Sequence, residues 1–184
     1  TGVIIVVSKP TDILQKSRDS KRQSDLNKIN TTINLINENN PSFDFFSYLS
    51  TNTLYLSLKD SSSTCGNYLS QLPSLPSGWS YRCSATPTDI TGQGWLPIPF
   101  SSNPLVNLST LPIDPINKPP YYYTFTANNQ GYELTAKKEN KDEEIIVSNA
   151  PIRLTPISRG GSSTWAKTYG GSNNCLLYTS PSPR

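Results

Sequence analysis

The chain changes its hydrophobic period once, at Pro41, and that change decides most of what it can fold into. Before it, Leu26, Ile29, Ile33 and Ile36 recur at i, i+3, i+7 and i+10, which places all four on one side of a helix. The spacing predicts one long helix over residues 12–39. Asp12 and Lys16, and Lys21 and Asp25, sit at the i, i+4 spacing that supports it. Asn39-Asn40-Pro41 ends it, because asparagine tolerates a left-handed cap and proline cannot continue the ladder. After Pro41 the period is two. In "NTLYLSL" Leu54, Leu56 and Leu58 share a face, and "WSYRCSA", "YYYTFTA" and "GYELTAK" read as further short strands. Asn128-Asn129-Gln130-Gly131 supplies residues that accept positive φ, so the last two form a hairpin. The expectation is an α+β fold, a long N-terminal helix packed on a small antiparallel sheet. The prolines between residues 97 and 120 make the intervening stretch a wandering loop.

In front of the helix stand Val3, Ile4, Ile5, Val6 and Val7, an apolar run far shorter than the ~20 residues that span a bilayer. Pro10 leaves two readings open. A helix that begins after it gives Thr11 and Asp12 an ordinary N-terminal role, with a short core strand ahead. A helix that runs back through Val3 carries a kink or a melted turn at Pro10.

Composition excludes more than it selects. Only 34% of the 184 residues are hydrophobic and 16 are proline, which suits a loop-rich, surface-rich domain better than a large enzyme core. Histidine is absent, so the commonest general base and metal ligand is missing, and no Ser-His or Cys-His pair can form. The two glycine pairs, Gly160-Gly161 and Gly170-Gly171, lie in no phosphate-binding fingerprint. The acid cluster Asp142, Glu143 and Glu144 lies among lysines in "KKENKDEEI" and reads as a solvated turn. No catalytic group and no cofactor is expected.

Three stretches together resemble the type IV pilins, and within them the G-like pseudopilins of type II secretion. They are "VIIVVSKPTDILQKSRDSKRQSDLNKINTTINLI", "CGNYLSQLPSLPSGWSYRC…GQGWLPIPFSS" and "LSTLPIDPINKPPYYYTFTANNQGYELTAKKE", covering roughly residues 1–139. The resemblance implies a truncated N-terminal helix over residues 1–40, whose missing front half anchors the subunit in the inner membrane and meets other pilin subunits. A pilin-like β-domain follows over 41–140. The implied function is a structural subunit of a pilus or secretion filament, bacterial, membrane-anchored and extracytoplasmic. The alternative is a cell-surface module that binds glycan or nucleic acid. The basic stretch from Lys16 to Arg22 is interrupted by aspartate, which blunts a nucleic-acid footprint. Lipid headgroups and neighbouring subunits are the expected contacts.

The helix is expected to divide its work. Leu26, Ile29, Ile33 and Ile36 should pack on the sheet face that carries Tyr123 and Phe125, each burial contributing about 1.5–3 kcal/mol before entropy. Val3, Ile4, Ile5, Val6, Val7 and Pro10 should belong to the projecting filament or membrane helix. Cys65 and Cys83 flank "GNYLSQLPSLPSGWSYR" and are either a disulfide or two unrelated buried thiols. A bridge of that loop length contributes about 3 kcal/mol and suits an exported domain. Some secretion pseudopilins bind calcium near the loop that here holds Asp114 and Asn117, although Asp114-Pro115 is also a plain turn starter. Residues 141–174 are expected to be a linker or the start of a further domain, since "STWAKTYGGSNN" resembles the opening of a β-propeller blade. "CLLYTSPSPR", residues 175–184, matches one frame of a sequencing adapter and is expected to be an artefact.

Overall fold

The computed structural model describes residues 9–141, 143–150 and 154. Its first element is helix α1, Pro10–Asn39. Lys9 is extended and Pro10 occupies the first turn, where its missing N–H costs nothing. The two readings of Pro10 differ in residues 3–7, which lie outside the described residues. At the far end the Asn40 N–H bonds back to the Ile36 carbonyl.

Five strands follow: β1 (Thr53–Lys59), β2 (Ser80–Ser84), β3 (Tyr123–Asn128), β4 (Gly131–Lys137) and β5 (Glu144–Ser148). They form one sheet in the order β2-β1-β3-β4-β5. The fold is α+β as expected, but the sheet is mixed rather than antiparallel, because β1 and β2 pair parallel. Residues 60–79 separate those strands, more than the dozen or so that a parallel return needs, and alternation alone says nothing about direction. The other three pairings are antiparallel, and β3 turns into β4 through Asn129 and Gln130 alone. Gly131 closes that turn at φ +144°, and the Asn128 side chain accepts from the Gln130 N–H.

β5 lies inside the segment expected to be a linker from residue 141. The acids of "KKENKDEEI" masked it, because only Ile145 and Val147 mark its buried face. Leu154 also touches the domain, its N–H donating to a Glu133 carboxylate oxygen at 3.1 Å. The adapter-like tail, the propeller-like stretch and the apolar run at residues 3–7 lie outside the described residues.

One face of the sheet takes the helix. Leu26, Ile29, Ile33 and Ile36 are buried in a single cluster with Phe125, Tyr132, Leu134, Ile145 and Val147, and α1 lies over β4 and β5. The rest of that face is closed by the proline-rich segment, which is far from wandering. It puts Trp95, Leu96, Ile98, Phe100 and Leu111 into the same core, and the Trp95 indole N–H donates to the Pro112 carbonyl. The opposite face of β1 carries Leu54, Leu56 and Leu58 under a second cluster with Cys65, Leu72, Tyr81, Cys83 and Tyr122. Cys65 and Cys83 are bonded, with Cα atoms 5.1 Å apart. β1 is therefore buried on both faces. Its alternation separates two cores rather than core from solvent.

Ile29 has no exposed surface and sits mid-stripe. Ile29→Asp is expected to lose the cooperative thermal transition, because an unpaired buried carboxylate costs several kcal/mol. Lys28→Asp, on the exposed side, should melt within about 2 °C of the parent. Similar melting of both variants by circular dichroism would contradict the packing.

Candidate functional site

The buried stripe of α1 does not stop at Leu26. Counting back by the same spacing gives Arg22 and Asp19, and both are buried, Arg22 with 0% of its surface exposed. Charged side chains at core positions need partners, and here these come from two distant segments. Arg22 Nε and Nη2 donate to the two carboxylate oxygens of Asp114 at 2.7 and 2.9 Å, a two-pronged pair. Its Nη1 donates to Asp19 at 2.8 Å and to Glu139 at 2.7 Å. Arg18 completes the cluster with two bonds to Glu139. Asp19 accepts the Glu139 backbone N–H at 3.0 Å, and the Tyr121 ring lies 5.2 Å from the Arg22 guanidinium carbon. Two guanidiniums thus face three carboxylates.

Each partner is itself held in place. Asp114 accepts the Ile116 N–H. Asn117, at φ +48°, donates its amide to the Ser57 carbonyl and accepts from the Ser57 hydroxyl. The "LPIDPIN" turn is in this way fixed to β1 while it holds the helix. One turn further along α1, Asp25 accepts from Lys21 at 2.6 Å and from the Tyr123 hydroxyl at 2.9 Å. The Tyr132 hydroxyl donates to Asn30 at 2.6 Å.

The ionisation of these groups follows from their partners. Burial disfavours the Arg22 charge, but hydrogen bonds to Asp114 and Glu139 outweigh it and raise its pKa. The Arg18 hydrogen bond, opposed by burial and helped by Arg22, holds Glu139 below the ordinary carboxylate range. Burial, reinforced by the charge of Asp25, pushes the Tyr123 hydroxyl well above its usual value, and burial alone raises Tyr132.

Asp114 and Asn117, the calcium candidates, spend their side chains on Arg22 and Ser57. The Asp114 carboxylate accepts two Arg22 hydrogen bonds and the Ile116 N–H. Among the described residues no group of three or more acids, cysteines or histidines is arranged to hold a metal. Glu143 pairs with Lys138 at 3.0 Å, and Asp142 lies outside the described residues. The hydroxyl that bonds to a carboxylate here, Tyr123 on Asp25, is buried with it. The chemistry of the arrangement is cohesion.

Beyond the cluster the front of the helix has no cover among the described residues. Pro10 to Leu14 are exposed, Ile13 and Leu14 at 56% and 57%. This front, residues 10–17 with only Gln15 half-buried, is about 12 Å long at 1.5 Å per residue. Among the described residues no helix is long and apolar enough to cross a membrane. Comparison with protein-family models, with curated proteins and with solved structures finds no match to this chain.

Two outcomes follow from the charge cluster. Arg22→Met strands Asp114 without its counter-charge and should cost about 3–5 kcal/mol in urea unfolding, whereas Arg22→Met/Asp114→Leu should recover most of it. A single-variant loss below about 1 kcal/mol would mark the pair as solvated.

The pH dependence has two limbs. Glu139 takes up its proton more readily unfolded than folded. Its contribution is complete above the ordinary value of 4.5 and is lost as pH falls through the lower folded one. Tyr123 and Tyr132 give up their protons more readily unfolded, so stability should also fall as pH rises above 10. Flat stability between pH 10 and 11 in equilibrium unfolding would refute the buried hydroxyls.

Proposed function

We propose that this chain is a non-enzymatic filament subunit of the type IV pilin or type II secretion pseudopilin kind. The observation that carries the reading is the division of α1. Its rear, from Asp19 to Ile36, is fixed to the sheet by charge and apolar contact, while Ile13 and Leu14 stand in solvent. Two adjacent large apolar residues on a projecting helix are costly in water unless another surface covers them. Identical helices side by side supply that cover. The inner membrane, reached through the sequence ahead of Val3, is the other expected partner. A disulfide in the domain suits an extracytoplasmic location.

The test uses the gene product with its native upstream sequence, in a host that assembles such filaments. The parent chain is expected in the sheared filament fraction. Leu14→Asp should reduce its amount there at least about tenfold, as a buried charge at an interface does. The same substitution should leave the melting temperature of the chain within about 2 °C. A parent chain that never enters filaments, or a Leu14→Asp chain that enters them at the parent level, would end the filament reading.

A further inference from the structure

At the C-terminal end of α1, the end opposite Ile13 and Leu14, the chain places four aromatic rings within six residues: Phe43, Phe45, Phe46 and Tyr48. Only Phe45 is buried; it enters the core with its edge towards Phe125 and Tyr132, at ring centroid distances of 6.0 and 5.9 Å. Phe46 is held edge-on to it at 4.6 Å and stays 37% exposed. Tyr48 is 43% exposed and stacks on Phe43 at 5.5 Å. These rings are not on a loose tail. A 3₁₀ turn over Phe45–Tyr48 carries three of them, and the Asp44 carboxylate caps it by accepting the Phe46 N–H.

Beside the rings lies an open cleft of about 450 Å³, within the range of small-molecule sites. Its other wall is polar. Asn37, Asn40 and Asp44 are exposed to solvent, and the two amides and the second Asp44 oxygen make no hydrogen bond to the described residues, whereas neighbouring Asn39 turns its amide onto the Leu35 carbonyl. The cleft is lined by no lysine or arginine, and Asp44 is its one charge.

We infer that this cleft is a binding site for a neutral saccharide. A sugar ring has one face of C–H bonds and a rim of hydroxyls. The C–H face suits an exposed aromatic ring such as Phe46, and the rim suits amides that donate and accept and a carboxylate that accepts. A fully apolar ligand would leave the amides and Asp44 unpaired, and an anionic one would meet Asp44 with no counter-charge. The site is independent of the filament reading, because it uses the other end of the helix.

The experiment titrates the 184-residue chain with lactose, with N,N′-diacetylchitobiose and with glucuronate, following the amide resonances by NMR. The expected result is saturable shifts at Asn37, Asn40 and Phe46 with a neutral sugar, with a dissociation constant on the order of 1 mM. Phe46→Ala and, separately, Asn40→Ala should each weaken binding at least about fivefold while the rest of the spectrum stays unchanged. The inference is overturned by no saturable shift with either neutral sugar at about ten times that concentration. Shifts that map elsewhere, tighter binding of glucuronate, or binding that survives both substitutions overturn it equally.

Discussion

The position of the helix depends on one guanidinium. Arg22 is buried without exposed surface and joins three segments that are far apart in sequence: the helix through Asp19, the proline-rich segment through Asp114, and the end of β4 through Glu139. Apolar contact alone would hold α1 loosely along its axis, because Leu, Ile and Phe surfaces tolerate sliding and repacking. A two-pronged arginine–carboxylate pair does not slide. Its net energy need not be large, since removing these charges from water costs as much as their attraction returns. What it adds is a single register for the helix and a fixed point at which the helix leaves the sheet.

The disulfide plays the matching role on the opposite face. Helix and proline-rich segment close one side of the sheet, and the segment from Cys65 to Cys83 closes the other over Leu54, Leu56 and Leu58. That segment buries Leu72, Tyr81 and its two cysteines, with Tyr68 and Leu75 packed against them, and restricting its unfolded ensemble adds to that burial. The parallel pairing of β1 and β2 follows from the same device. A chain that crosses the back of β1 and returns to its starting end must run beside it in the same direction.

Much of this was legible in the sequence, for identifiable reasons. The helix stripe is strictly periodic, and Tyr123 and Phe125 alternate cleanly, so their meeting in one core could be read from spacing. The Asn128–Gly131 turn was legible because its residues are chosen for positive φ. Other things were not, the core role of the proline-rich segment among them. Strand direction leaves no mark on alternation. β5 was hidden because charged residues precede its two inward side chains. The charge cluster was missed because Arg22 and Asp114 are far apart in the chain and each has an ordinary local reading, one as a basic surface stretch and the other as a turn starter. A signal was nonetheless present. Extending the stripe back from Leu26 lands on Arg22 and Asp19, and charged residues at stripe positions imply distant partners of opposite sign.

The same extension explains why the helix changes character where it does. Towards Ile36 the stripe is apolar and meets an apolar sheet. At Arg22 and Asp19 the sheet has ended, and the available partners are polar loop ends, Asp114 and Glu139. Ahead of Arg18 no partner segment is present among the described residues, and Ile13 and Leu14 are exposed. An apolar stripe continued through Arg22 would leave no boundary between the part of the helix that folds the domain and the part free to meet something else. Charges at the boundary exclude a longer intramolecular packing, because sliding α1 forward would pull a paired guanidinium out of its carboxylates and into an apolar core. The helix front is thereby kept free, at a cost in stability no greater than that of one well-satisfied buried ion cluster.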